Sequence, residues 1–200
     1  MKICVAQTRP VTGDIQRNIE AHKKLIDLAV LMKANTIIFP ELSLTGYEPT
    51  LAKTLATHPE DSRFKDFQKT SDAHQLTIGV GVPIKHKAGT CISMVLFQPN
   101  QERKTYSKKY LHADEEPYFI PGQNVSDFLG DHHGIALAIC YELSVPAHAE
   151  NAFAKGANVY LASVAKFENG IDKATQRLSH IAQTYGMTVS MANSVGPADG

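Results

Sequence analysis

The sequence predicts an α/β fold, and three observations carry that expectation. Short, continuous apolar runs such as "TIIF" and "IALAI" suit strands buried on both faces of a sheet. Long segments between them carry apolar residues at three- and four-residue spacing, the period of an amphipathic helix. Midway along the chain, "TIGVGVPIKH" and "TCISMVLFQPN" are separated by "KAGT", the pattern of a hairpin. Strands and helices thus alternate at both ends, with an antiparallel meander between. One α/β domain over residues 1–200 is the expected organisation.

Taken in order, "KICVAQ" reads as the first strand. Asp14 then caps a helix whose inner stripe is Ile15, Ile19, His22, Leu25, Ile26, Ala29 and Met32. "TIIFP" is the second strand, stopped by Pro40, and the loop "ELSLTGYEP" follows. A second helix carries Phe64, Phe67, Thr70, Ala73 and His74 on one face. After the hairpin, "ERKTYSKKYL" extends the meander by a third strand. "GIALAIC" is the next buried strand, followed by a helix with Pro146 in its first turn and Gly156 at its end. "ANVYLASVA" is a strand, 171–185 a helix closed by Gly186, and "MTVSMANSVG" the last strand.

Composition excludes several classes. Hydrophobic residues are 43% and charged residues 20% of the 200, ordinary for a soluble globular chain. Lys plus Arg and Asp plus Glu are 20 each, so no global field favours nucleic acid or an anionic membrane. No apolar run reaches bilayer length, and the N-terminus lacks a signal-peptide pattern. Cys4, Cys91 and Cys140 are odd in number and widely spaced, which fits neither a disulfide framework nor a zinc motif and leads to the expectation of a reducing, cytoplasmic setting. The nine histidines do not suggest a metal site: His22, His74, His148 and His180 fall on separate helices, and His132 and His133 share the turn "GDHHG". Cys4 and Cys91 read as packing residues, and "KHK" at 85–87 and "RK" at 103–104 as solvated hairpin charges.

Chemistry is expected beyond the carboxyl ends of the strands, where open α/β sheets gather their sites. Glu41 follows "TIIFP" and Cys140 follows "IALAI", so both can face one crevice. A carboxylate beside a thiol can take its proton, and the thiolate is the nucleophile. An inert buried cysteine and a turn carboxylate are the plain alternatives. "YSKKYLHADEEPYFIPG" adds two lysines and three acids: an ammonium turned inward would favour thiolate and stabilise a carbonyl oxyanion, with Glu115 or Glu116 holding it. The plain alternative is a solvated charged loop.

Together these segments resemble the nitrilase, or carbon–nitrogen hydrolase, superfamily over essentially the whole chain. The carrying stretches are "VAQTRPVTGDIQRNIEAHKKLIDLA", "IIFPELSLTGY", "YSKKYL", "DEEPYFIPG" and "GIALAICYELSVP". The resemblance implies a four-layer α-β-β-α sandwich and a Glu-Lys-Cys triad of Glu41, Lys108 (rather than Lys109) and Cys140. By register with Tyr118 and Phe119 it assigns the further acid to Glu115. It implies cleavage of a non-peptide C–N bond through a thioester, with the Tyr141 N–H and Lys108 on the oxyanion and with neither metal nor organic cofactor. The segments 45–56 and 110–119 are the expected pocket walls, with Tyr47 and Tyr118 as contacts. Glu142 is a further candidate at the site, with a structural role beside the nucleophile as the alternative. Ala147 replaces a frequent glutamate, "TCIS" stands where a Tyr-Asn pair is common, and Tyr141 with no Trp in the chain favours an amide over a nitrile.

Family members continue past the position of Gly200 with further strands and a tail, so the resemblance implies a C-terminally truncated chain with an open sheet edge. Homodimers or larger homo-oligomers are expected through the helices around 144–156 and 171–185. Three functions remain open at this point: a small-molecule amidase, a glutaminase unit supplying ammonia to a synthetase, and an inactive scaffold or binding module of the same fold.

Overall fold

The computed structural model describes residues 1–124, 126, 128–129 and 134–196. The turn expected at His132 and His133 and the last four residues lie outside the described set. Among the described residues, eight strands form two sheets. The first, in spatial order, joins β1 (Ile3–Val5), β2 (Thr36–Ile38), β3 (Thr77–His86), β4 (Gly89–Phe97) and β5 (Lys104–Ser107). β1, β2 and β3 are parallel; β3–β4 and β4–β5 are antiparallel. The second sheet joins β6 (Ile135–Ile139), β7 (Val159–Val164) and β8 (Thr188–Asn193), all parallel.

Alternation along the strands shows how the layers stack. In β4, Ile92, Met94 and Leu96 join the cluster that includes Leu137, Ala138, Leu161 and Ala162 of the second sheet. Val95 and Phe97 point the other way, to a cluster with α1 (Ile15–Leu31) and α3 (Lys65–His74). β2 splits likewise, with Ile38 inward between the sheets and Ile37 outward. Side chains that alternate with period two across a pleat can serve two cores at once. α4 (Pro146–Ala154) and α5 (Glu168–Tyr185) cover the far face of the second sheet through Ala149, Ala152, Ala174, Leu178 and Ile181. The result is the expected α-β-β-α sandwich; the remaining helix, α2 (Ala52–Leu55), is a single turn in the loop after β2.

Helix boundaries follow local chemistry. Asp14 accepts a hydrogen bond from the Arg17 N–H at 3.0 Å, the N-cap expected for α1. Pro146 stands at the start of α4, where its missing N–H costs nothing, and Gly186 closes α5 in the left-handed conformation at φ 66°.

Three expectations are corrected. In α1, Met32 is 56% exposed, whereas Asn18 is buried because its amide is paired with the Val11 backbone and the Leu44 carbonyl. In α3, Ala73 and His74 face solvent and Ser71 takes the inner position, its hydroxyl satisfied by the Phe97 carbonyl at 3.1 Å. Arg103 is not a solvated hairpin charge. Its guanidinium donates to the carbonyls of Pro59 and Asp61 and lies over the Phe97 ring. Among the described residues no helix is long and apolar enough to cross a membrane.

Candidate active site

Glu41 is positioned by a backbone crossing. The chain leaving β2 runs tightly over β3, with Phe39 N bonded to Gly79 O and Leu44 N to Gly81 O. At Gly81 there is no room for a side chain: a Cβ would lie 2.2 Å from the Pro40 carbonyl and 2.5 Å from Leu42 N. Leu42 sits at φ 51°, a left-handed conformation that β-carbon sterics disfavour. The turn is held from the other side by α1. The His22 Nδ1–H donates to the Asn18 carbonyl at 2.7 Å, so its Nε2 accepts from the Ser43 hydroxyl at 2.9 Å. Burial lowers the His22 pKa to about 4, which keeps the ring neutral in that role.

Lys108 ends the ladder of β5. Its N–H donates to the Ile92 carbonyl, and its own carbonyl accepts from Gly122 N at 2.7 Å. Asn124 brackets Ser107 by accepting from its N–H and donating to its carbonyl. The "PG" turn is therefore a clamp on the lysine segment. A Cβ at Gly122 would strike Ser107 at 2.4 Å.

Glu115 and Glu116 are separated by a tight turn in which Tyr118 N and Phe119 N both bond to the Glu115 carbonyl. Four-residue spacing places Glu115 and Phe119 inward, leaving Glu116 and Tyr118 outward. The pocket-wall role expected for Tyr118 is accordingly corrected. It is 42% exposed and lines a groove with Lys53 and residues 85–90 that includes none of Glu41, Lys108, Glu115 and Cys140.

These segments bring three charges together in the interior. Lys108 Nζ lies 2.8 Å from Glu41 Oε1 and 2.5 Å from Glu115 Oε1. Glu115 also accepts from the Tyr47 hydroxyl at 3.0 Å and from His112 N at 2.8 Å. Glu41 Oε2 is buried with no hydrogen-bond partner of ordinary geometry among the described residues, and the Cys140 thiol stands close enough to act on that carboxylate as a hydrogen-bond partner.

Cys140 leaves β6 at φ 43°, a strained conformation for a residue with a side chain, and opens a short 3-10 turn, Cys140–Ser144. Burial and the nearby Glu41 charge push its thiol up to about 11, against the opposing pull of Lys108, Lys166 and the Ala165 N–H. Burial likewise raises Glu41, with Lys108 opposing. Burial works to lower Lys108, but Glu41, Cys140 and Glu115 together outweigh it and hold the ammonium charged. These shifts favour the protonated thiol, which stands beside the Glu41 carboxyl.

Glu142 does not behave as a pocket-wall residue. It is fully buried and accepts from Ile139 N, Lys109 N and the Tyr106 hydroxyl, each at 2.7 Å. It ties the nucleophile turn to the lysine segment. The network continues through His148, whose Nε2 meets the Tyr106 hydroxyl at 2.9 Å and whose Nδ1 meets the Tyr160 hydroxyl at 2.7 Å. Tyr141 is half-buried, its ring edge-on to His112 at 5.1 Å.

Sequence reasoning did not single out Ala165 and Lys166, which act on the thiol from the end of β7. The signal was available, since they follow an apolar strand as Cys140 and Glu41 do.

A model of the carbon-nitrogen hydrolase family matches residues 2–196. Glutamine-dependent NAD(+) synthetases from Thermotoga maritima and Acinetobacter baylyi are 24% and 25% identical over 100% and 99% of this chain. The chain spans 36% and 38% of their lengths. An amidase from Nesterenkonia sp. AN1, solved with acrylamide added at its active-site cysteine, is similar at TM-score 0.85 with 22% identity, covering 100% of this chain and 81% of that one. A mutant of the same amidase in complex with butyramide gives TM-score 0.85 and 22% identity, covering 100% and 78%. At that identity the likeness establishes the fold.

Proposed function

The chain belongs to the carbon–nitrogen hydrolase family, and from that premise we propose that it hydrolyses the C–N bond of a small amide through a thioester on Cys140. The observation that carries this reading is the buried Glu41–Lys108–Glu115 cluster, with an uncommitted Glu41 oxygen beside the thiol. Because the thiol is held near 11, the reaction does not begin from a standing thiolate. Glu41 takes the proton as sulfur attacks the amide carbon.

Lys108 has three N–H donors and spends two on Glu41 and Glu115, leaving one for the developing oxyanion. The backbone N–H of Tyr141, the residue after the nucleophile, is the second donor. Collapse of the tetrahedral species breaks the C–N bond, and Glu41 returns its proton to the departing amine. A water, deprotonated by Glu41, then cleaves the thioester, and the proton goes back to sulfur. Glu115 positions Lys108, and Tyr47 positions Glu115. The chain's own residues supply every acid, base and nucleophile in this scheme.

The test is a panel of small amides assayed for ammonia release with the native protein and Cys140→Ala side by side. Release by the native protein alone supports the reading. Equal release by both ends it. No release from any amide by a folded protein favours the scaffold reading.

A second reading has its own support: the curated relatives are glutamine-dependent synthetases more than twice the length of this chain. A glutaminase unit delivering ammonia to a synthetase would use the same residues. Ammonia release from glutamine alone distinguishes it from a general amidase. We further propose one domain over residues 1–200, a cytoplasmic setting and a homodimer through α4 and α5, where the rings of Phe153 and Tyr185 meet at 5.3 Å at the surface.

A further inference from the structure

The position that singles out Cys140 and Glu41 holds other residues as well. Ile139, the last residue of β6, pairs with Ser163, and Val164 pairs with Asn193 of β8. Cys140, Ala165–Lys166 and Ser194 therefore leave the second sheet side by side at its carboxyl edge. Ser194 bridges to Thr8 beyond β1, and Val195 N bonds to the Thr8 carbonyl, which brings Gln7 to the same edge. A cavity of about 510 Å³ opens there, lined by Gln7, Ala165, Lys166, Asn193 and Ser194 among others.

Lys166 is the cation of that cavity. Its backbone is fixed by a reciprocal pair: Lys166 N donates to Asn193 Oδ1 at 2.8 Å, and Asn193 Nδ2 donates to the Lys166 carbonyl at 3.1 Å. The side chain is half-buried. Among the described residues no carboxylate stands within 4.0 Å of its ammonium. The acid lining the same cavity, Glu168, is exposed and opens α5, where the helix N-terminus favours its charge. Strand register sets this edge beside the nucleophile: Cys140 follows Ile139, whose partner Ser163 lies two residues before Ala165. The Lys166 charge and the Ala165 backbone both act to favour the thiolate.

We propose that Lys166 binds a carboxylate on the substrate, so that the site takes amides of the dicarboxylate half-amide type, with the acid a few bonds from the scissile carbonyl. A half-buried ammonium with no carboxylate within 4.0 Å among the described residues, beside polar Gln7, Asn193 and Ser194, is a ready partner for such a group, and a neutral amide leaves it unsatisfied. The inference rests on the amidase reading for its chemistry. It adds the sign of the charge that the substrate carries.

Succinamate and butyramide are matched in length and differ by a carboxylate in place of a methyl group, so they are the probes. The native protein is expected to favour succinamate in kcat/KM. In Lys166→Met the succinamate-to-butyramide ratio is expected to fall about tenfold, and in Lys166→Arg to be largely kept. Each ratio is measured within one variant, so partial misfolding cancels. An unchanged ratio in Lys166→Met overturns the inference and leaves the amidase reading standing. If neither amide is hydrolysed, the amidase reading fails, and protection of Cys140 from iodoacetamide becomes the readout. Protection by succinamate that is lost in Lys166→Met sustains the carboxylate site; no protection overturns it.

Discussion

Glu41 and Lys108 lie 67 residues apart in the chain and meet at 2.8 Å with both side chains fully buried. A buried ion pair is not itself strong evidence of stabilisation, because desolvating both charges offsets much of their attraction. Losing one partner is another matter. Lys108→Met would strand Glu41 and Glu115 in the interior, and we expect it to lower unfolding stability by about 3–5 kcal/mol in urea titrations. Glu41→Gln keeps the shape and leaves Lys108 paired with Glu115, so its stability loss should be markedly smaller.

Activity should respond in the opposite proportion. Glu41→Gln retains a hydrogen-bonding side chain and loses the base, so amide turnover is expected to drop about 10²–10⁴-fold in a protein with native circular dichroism. A drop below tenfold would remove Glu41 from the role of base.

The pH dependence separates the two titrating groups. Glu41 must be ionised to accept the thiol proton, and burial raises its pKa. The acidic limb of kcat/KM should therefore have its midpoint above the ordinary 4.5 and should be absent from the residual activity of Glu41→Gln. Cys140 in the resting protein must ionise to react with iodoacetamide, so its alkylation rate should still be climbing at pH 9 and level near 11. A plateau below pH 8 would mean a standing thiolate, contrary to the proposed order of proton transfer.

His22 gives a stability signature away from the chemistry. Its pKa falls from 6.5 to about 4 on folding, so the unfolded chain takes up this proton first as pH drops. The stability of the neutral ring is complete above about 6.5, is lost progressively down to about 4, and changes little below that. The total is about 3 kcal/mol. Denaturant midpoints measured from pH 7 to 4 should fall more steeply in the native protein than in His22→Gln.

Gly81→Ala probes the backbone crossing without touching a charged group. The added carbon would meet Pro40 O at 2.2 Å, and only movement of the Glu41 turn relieves the clash. A displacement of that kind should cost about 10²-fold in turnover. Gly156→Ala is the control for backbone strain alone, since a Cβ there meets nothing within 4 Å and only its φ of 94°, a conformation Gly81 does not share, disfavours a side chain.

Much of this arrangement was legible in the sequence because strand ends are legible. Apolar runs mark where Glu41 and Cys140 leave their sheets, and the sheets place those ends at one edge. The inward turn of Lys108 rested on resemblance alone, since "SKK" carries no periodicity that separates 108 from 109. The clamp that turns it, Gly122 and Asn124, is 14 and 16 residues downstream. Glu142 was legible as a buried acid beside the nucleophile, but its three donors come from β5, β6 and the lysine segment, a convergence that only the folded chain reveals. Tyr118 was misplaced because the turn at 115–119 reverses facing within three residues. Lys166 was overlooked although it obeys the strand-end rule, because "YLASVAK" matched no motif.

The most direct measurement is the mass of the Cys140 peptide after the protein is mixed with a small amide and quenched in acid within one turnover. A mass increase equal to the acyl group, confined to Cys140 and discharged as the hydroxamate by hydroxylamine, is the expected result. Ammonia released at full rate with Cys140 unmodified, or undiminished in Cys140→Ala, would contradict the thioester route and the roles given to Glu41 and Lys108 with it.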